Sequence, residues 1–336
     1  QNLFKGISYG KAKRFQSPQE PDSWDGVKEA ASYGVVCPML RQDVPNGELL
    51  VPHRYWPQDE DCLNLNIWSQ SLNPEAKRPV LVWLHGGGFS MGSAIEQKAY
   101  NGENMSKYGN VVVVTVNHRL NILGYLDLSQ YGEKYADSAN AGQEDLIAAL
   151  RWVKENIRNF GGDPENVTIF GQSGGGMKVS GLMQMKGADG LFQKGIIMSG
   201  VTDESLKYCD KDSTPLIQAL LQELHLDESQ VEELETIPYY ELARAYNKVS
   251  PPLEQAGEYV GCTPKPNAFY AGEGPTAGFR KEAVKIPLMI GSVFGEFYMG
   301  PQPFFKDKIT REELQDRIKN RFGVYAEEIT EAFKEA

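Results

Sequence analysis

Histidine and cysteine are scarce in this chain, four of each in 336 residues, and they do not cluster. No His/Cys/Asp group has the spacing of metal ligands, so neither a metal nor another cofactor is expected. Long apolar runs are missing too: none approaches the ~20 residues that cross a bilayer. Basic residues are outnumbered, 34 Lys and Arg against 45 Asp and Glu, for a net charge of −11. Such a balance argues against nucleic acid and against anionic membrane surfaces as partners. Internal repeats and low-complexity tails are absent, which excludes solenoids and disordered spacers.

What remains is an alternation. Apolar strand-like runs at 63–68, 80–84, 111–117, 167–170, 195–198 and 287–290 are separated by helical patterns, the signature of an α/β sheet. The clearest helix follows Gly142, where Leu146, Ala149, Leu150, Val153, Ile157 and Phe160 form one apolar stripe. From Thr214 to Asn247 the pattern is helical with a polar face, from Val249 to Ala283 it is irregular, and from Thr310 to Ala336 it reads as two amphipathic helices.

Two glycine devices stand out. The strand Asn166-Val167-Thr168-Ile169-Phe170 runs into Gly171-Gln172-Ser173-Gly174-Gly175-Gly176. A turn this sharp forces its serine into a strained conformation and requires small residues two before and two after it. It lifts one hydroxyl off the sheet at a helix N-terminus, so Ser173 is the candidate nucleophile. Upstream, Val80-Leu81-Val82-Trp83-Leu84 is followed by His85-Gly86-Gly87-Gly88-Phe89. Glycines after a strand leave bare N–H groups that can hold a developing oxyanion. A phosphate-cradling loop is the alternative, but no Lys-Ser or Lys-Thr pair follows.

Further segments carry a family likeness. Glu60-Asp61-Cys62-Leu63-Asn64-Leu65-Asn66-Ile67, Asn117-His118-Arg119-Leu120, Trp152-Val153-Lys154-Glu155-Asn156-Ile157, Phe160-Gly161-Gly162-Asp163-Pro164 and the run Leu191 to Gly200 resemble the type-B carboxylesterase and cholinesterase family. The likeness covers about Phe4 to Glu296 and is weakest between about Asp203 and Lys285. It implies an α/β-hydrolase fold, a mostly parallel central sheet with helices on both faces, incomplete at both ends. The expectation is one incomplete domain over 1–336, an internal fragment of a longer polypeptide, with an insertion at about 203–285 near the active-site mouth.

The resemblance assigns Ser173 as nucleophile and the N–H groups of Gly87, Gly88 and Gly174 as an oxyanion hole. Relatives usually carry alanine at 174; glycine keeps the N–H and is expected to loosen the turn. Glu296, just past the strand at 287–290, would be the triad acid, whereas without the family it reads as a solvated glutamate. The family's glycine after that glutamate is Phe297 here. A serine nucleophile needs a base, and His53, His85, His118 and His225 all precede Glu296, out of the order Ser, acid, His. The family's histidine lies farther along than residue 336, so the segment alone is expected to hydrolyse p-nitrophenyl acetate very poorly.

Other assignments also come from the resemblance. Arg119 and Asp145 match a buried salt bridge. Cys37 and Cys62 bracket a loop that secreted relatives close with a disulfide, the alternative being two reduced thiols; Cys209 and Cys262 match no family pair. Gln172 replaces a usual glutamate, which argues against choline esters. Phe89, Met198, Phe294 and Phe297 would line an apolar pocket suited to an uncharged ester, though without the family each reads as core. The implied activity is a serine carboxylesterase acting on a small-molecule ester through an acyl-enzyme. A non-catalytic binding or adhesion relative, and another serine hydrolase such as a lactonase or feruloyl esterase, are the alternatives. Asn104-Met105-Ser106 is a formal glycosylation sequon, weak as a sign of secretion.

Overall fold

A computed structural model describes residues 1–41, 56–200, 211–293, 296 and 310–335. His53, Cys209, Phe294, Phe297 and the start of the expected insertion at 203–210 lie outside the described residues. The chain divides into two compact units, 1–292 and 293–336.

The first unit is built on a seven-stranded sheet in the order β1-β2-β4-β3-β5-β6-β7. Its strands are β1 (Asn2–Ser8), β2 (Asn64–Ser69), β3 (Arg78–Leu84), β4 (Val112–Val116), β5 (Gly162–Gln172), β6 (Lys194–Met198) and β7 (Leu288–Gly291). β2 pairs antiparallel with both β1 and β4, and every later pairing is parallel. β4 reads Val-Val-Val-Thr-Val with all five residues buried. Such a run belongs in a parallel sheet covered on both faces. Six strands fall where the apolar runs predict them. β1 has no such run, because an edge strand alternates half-exposed residues and its lysine and glycine break the pattern.

Helices α1 (Glu103–Gly109), α2 (Asn121–Tyr125), α3 (Ala141–Asn156) and α4 (Gly174–Met183) connect these strands. α3 buries Leu146, Ala149, Leu150 and Val153 against the sheet, where they join Val80, Val82, Val167 and Ile169 in one core. Later come α5 (Thr214–Glu223), α6 (Tyr239–Gln255) and the short α7 (Gly274–Ala277). The expected break at Val249 does not occur, since α6 runs through Pro251 and Pro252 to Gln255. Packing overrides the poor propensity there: Leu242, Ala245 and Tyr246 are buried and Val249 and Leu253 pack against the same cluster. This cluster is a second core, in which Leu216, Ile217, Leu220 and Leu221 of α5 meet Phe15, Ile122, Leu126 and Tyr135.

The second unit contains α8 (Arg311–Phe322) and α9 (Ala326–Glu335), the two helices expected from the sequence. α8 opens with a capping box. Thr310 Oγ1 accepts from the Glu313 N–H at 3.2 Å, and the Glu313 carboxylate accepts from the Thr310 N–H at 2.8 Å.

Candidate active site

The register between β3 and β5 decides where the two glycine devices meet. Leu84 is paired with Gly171, so both strands deliver their next residues to the same carboxyl edge of the sheet. That edge is where open α/β sheets place their sites. Ser173 follows β5 directly, with φ 55° and ψ −125°. A left-handed φ strains any non-glycine residue and persists only where the surroundings enforce it. Here the Ser173 N–H donates to the Met198 carbonyl at 2.8 Å, continuing the β5–β6 ladder through the turn. The serine is partly exposed, and its hydroxyl hydrogen-bonds none of the described residues.

Glycine is required around it because backbone meets backbone. A Cβ on Gly175 would lie 2.0 Å from the Leu84 carbonyl oxygen, and one on Gly171 would lie 2.3 Å from the Gly175 carbonyl carbon. A Cβ on Gly174 would lie 2.3 Å from the Gly88 nitrogen. The glycine at 174 therefore does not merely loosen the turn, as expected from the sequence; its missing methyl is the space that Gly88 occupies. Gly87 and Gly88 sit at φ 88° and 61°, with Gly87 exposed and Gly88 partly so. The Gly87 carbonyl accepts from Met91 N–H at 3.1 Å and the Phe89 carbonyl from Asn121 N–H at 2.7 Å. The structure thus brings Ser173, Gly174 and the Gly86–Gly88 loop together.

Gln172 and Met198, the latter expected to line a pocket, are partly exposed beside the turn. Phe89 points inward: only 2% exposed, its ring packs edge-on to Tyr125 at 5.2 Å. Its place is in the core, the reading its sequence context alone supports. Glu296 belongs to the second unit, where its carboxylate accepts from the Val293 N–H at 3.1 Å.

His85 and His118 stack on each other with ring centroids 5.1 Å apart. Each Nδ1–H donates to the next carbonyl, Gly86 and Arg119 respectively, at 2.8 Å. Their Nε2 atoms are buried without a partner among the described residues. Burial, and then the nearby Lys178, push both imidazoles well below the usual histidine range, so both are neutral and held as scaffold. His225 lies at the end of α5 with φ 59°.

Arg119 and Asp145 form a buried bidentate pair, Nε to Oδ2 at 2.8 Å and Nη2 to Oδ1 at 2.6 Å. The same guanidinium donates to the Lys13 and Gln16 carbonyls at 3.0 and 2.8 Å, tying the N-terminal segment to α3. Cys37 and Cys62 are free, buried thiols in this structure. Cys37 Sγ accepts from the Leu120 N–H at 3.2 Å, and Cys62 is held above the usual thiol range by its hydrogen bond to Cys37 and by burial.

One buried residue was not singled out from the sequence. Lys178 is fully buried on α4, and its Nζ donates to the His85 carbonyl at 3.0 Å. A lysine is read as solvated by default; the available signal was its position, three and four residues beyond the buried Gly175 and Gly174, on their helix face.

Comparison with known proteins agrees with this architecture. Residues 1–334 match the Carboxylesterase family. The para-nitrobenzyl esterase of Bacillus subtilis is 37% identical over 302 residues, 88% of this chain and 59% of that protein. Mouse carboxylesterase 3B is 43% identical over 213 residues, 60% of this chain and 35% of that protein. Among solved structures, an esterase from Clostridium hathewayi, described as able to hydrolyse aliphatic aromatic polyesters, superposes with a TM-score of 0.87 at 66% identity, covering 98% of this chain and 66% of that one. The carboxylesterase of Geobacillus stearothermophilus gives 0.74 at 35% identity, covering 99% and 66%. The chain therefore spans 59% of the Bacillus relative's length and 66% of the Clostridium structure. With its sheet order, its serine turn and its glycine loop, this chain belongs to the carboxylesterase family and has the α/β-hydrolase fold.

Proposed function

We propose that this chain is the nucleophile-bearing part of a serine carboxylesterase. The observation that carries the reading is Ser173 at φ 55° on a turn whose next residue abuts Gly88. In this mechanism the hydroxyl attacks the ester carbonyl carbon. The N–H groups of Gly87, Gly88 and Gly174 hold the oxyanion in the tetrahedral intermediate, whose collapse expels the alcohol and leaves an acyl-enzyme. Water then attacks the acyl carbon, releasing the acid and restoring the serine. The proton moves through a histidine, which Glu296 orients. His85 and His118 do not suit that task, because each spends its Nδ1–H on a neighbouring carbonyl rather than on an acid. By the chain order Ser, acid, His, we propose a base that follows Glu296 in the full-length polypeptide.

We infer an uncharged ester as substrate, supported by the partial exposure of Ser173 and by Gln172, rather than a carboxylate, directly before it. Esters with aromatic and aliphatic parts are the class we propose, supported by the 66% identity to the Clostridium hathewayi esterase, which is described as able to hydrolyse aliphatic aromatic polyesters. The test is labelling of the full-length polypeptide with a fluorophosphonate, alongside hydrolysis of p-nitrophenyl acetate. Wild-type protein should label at Ser173 and turn over. Ser173→Ala should lose labelling and at least about 10⁴-fold in kcat. Persistent labelling of that variant would discard the assignment, and absence of both activities in the wild type would favour a binding role.

A further inference from the structure

We propose that Lys178 is a positioning residue for the reaction at Ser173, bracing the oxyanion loop from the nucleophile helix through its hydrogen bond to the His85 carbonyl. The inference rests on the esterase reading of Ser173 and extends it to a side chain that does not touch the substrate.

The geometry starts with the helix. Side chains on an α-helix lean toward its N-terminus and cover the preceding turn. Lys178 therefore reaches back over Gly174 and Gly175, whose bare α-carbons let β3 and the glycine loop press against α4. Its Nζ ends 3.0 Å from the carbonyl oxygen of His85, the residue that enters the Gly86–Gly88 loop. The same Nζ lies 5.9 Å from the Phe89 ring, on the far side of the loop's glycines. One side chain thus contacts the residues at both ends of the glycine run and is rooted five positions after the nucleophile.

A loop of three consecutive glycines needs such a tie. Gly87 and Gly88 hold left-handed φ values, and glycine loses more backbone freedom on ordering than any other residue. An oxyanion donor works only if it is already aimed when charge develops. A buried lysine is otherwise hard to account for, since removing an ammonium from water is strongly unfavourable. Charged and titratable groups around it are Glu96, His85, His118 and, beyond His118, Arg119. Glu96 is the anion, its carboxylate close to Gly92 beside the His85 ring. Burial brings Lys178 down to about 7 from 10.5, and both its protonated and neutral forms retain N–H groups to donate.

The experiment uses the full-length polypeptide carrying Lys178→Met, which keeps the length of the stem and removes the donor, and Lys178→Gln, which restores an N–H donor without the charge. Steady-state hydrolysis of p-nitrophenyl acetate is read as kcat and KM separately, with folding checked by circular dichroism. The methionine variant should lose on the order of 10- to 100-fold in kcat with KM within about twofold. The glutamine variant should recover most of that loss. Wild-type kcat in a folded methionine variant overturns the proposal, as does a glutamine variant no better than methionine. Lys178→Leu provides a second donorless form; if neither donorless variant folds while glutamine does, the tie is a folding requirement and the positioning role fails. Wild-type protein that neither labels at Ser173 nor hydrolyses the ester would instead overturn the esterase reading itself.

Discussion

Beneath Ser173 backbone meets backbone, whereas around α5 and α6 side chain meets side chain. In the first region a methyl on Gly171, Gly174 or Gly175 would run into the backbone of Gly175, Gly88 or Leu84 respectively. In the second, Leu216, Ile217, Leu220 and Leu242 fill space against Ile122, Leu126 and Tyr135. The difference is one of tolerance. Side-chain cores relax around a lost methyl group and register it as stability. A glycine seam cannot admit an added methyl without moving a strand end or a donor, and registers it as geometry. Function sits in the intolerant region.

Four measurements would break or sharpen this contrast. Gly175→Ala puts a methyl 2.0 Å from the Leu84 carbonyl oxygen, so backbone there must shift by about 1 Å, and a misplacement of that size at a reacting centre costs about 100-fold in rate. We expect kcat of the full-length enzyme to fall by about that factor, and near wild-type kcat would show that the seam can yield. Arg119→Met strands the buried Asp145 carboxylate, and chemical denaturation should report a loss of about 3–5 kcal/mol. Leu220→Ala, in the helical core, should lose about 2–5 kcal/mol while the folded enzyme keeps its kcat within about twofold. A kcat loss there as large as that of Gly175→Ala would erase the distinction between the regions.

The smallest effect concerns pH. Lys178 is held at about 7 in the fold, against 10.5 for an exposed lysine, so the unfolded chain binds more protons between those values. Stability contributed by this site therefore rises with pH from about 7 to 10.5. Denaturation midpoints of wild type and Lys178→Met across that window should show the rise in the former and a flatter profile in the latter.

Much of this was legible in the amino-acid order, for identifiable reasons. Strands buried on both faces, such as β4, are continuous apolar runs, and glycines at fixed offsets from Ser173 encode a turn that admits little else. β1 was not legible, because its half-exposed residues leave no period to read. The continuation of α6 through two prolines was hidden because it depends on contacts with α5 and its neighbours rather than on local propensity. Lys178 escaped notice because burial of a charge is a tertiary fact. The state of Cys37 and Cys62 was equally undetermined by spacing.

The most direct test of the account is a crystal structure of the full-length protein after reaction with a phosphonate. The account predicts phosphorus bonded to Ser173 Oγ and a phosphonyl oxygen about 2.7–3.1 Å from the nitrogens of Gly87, Gly88 and Gly174. An adduct on another residue, or an oxygen turned away from those three nitrogens, would contradict it.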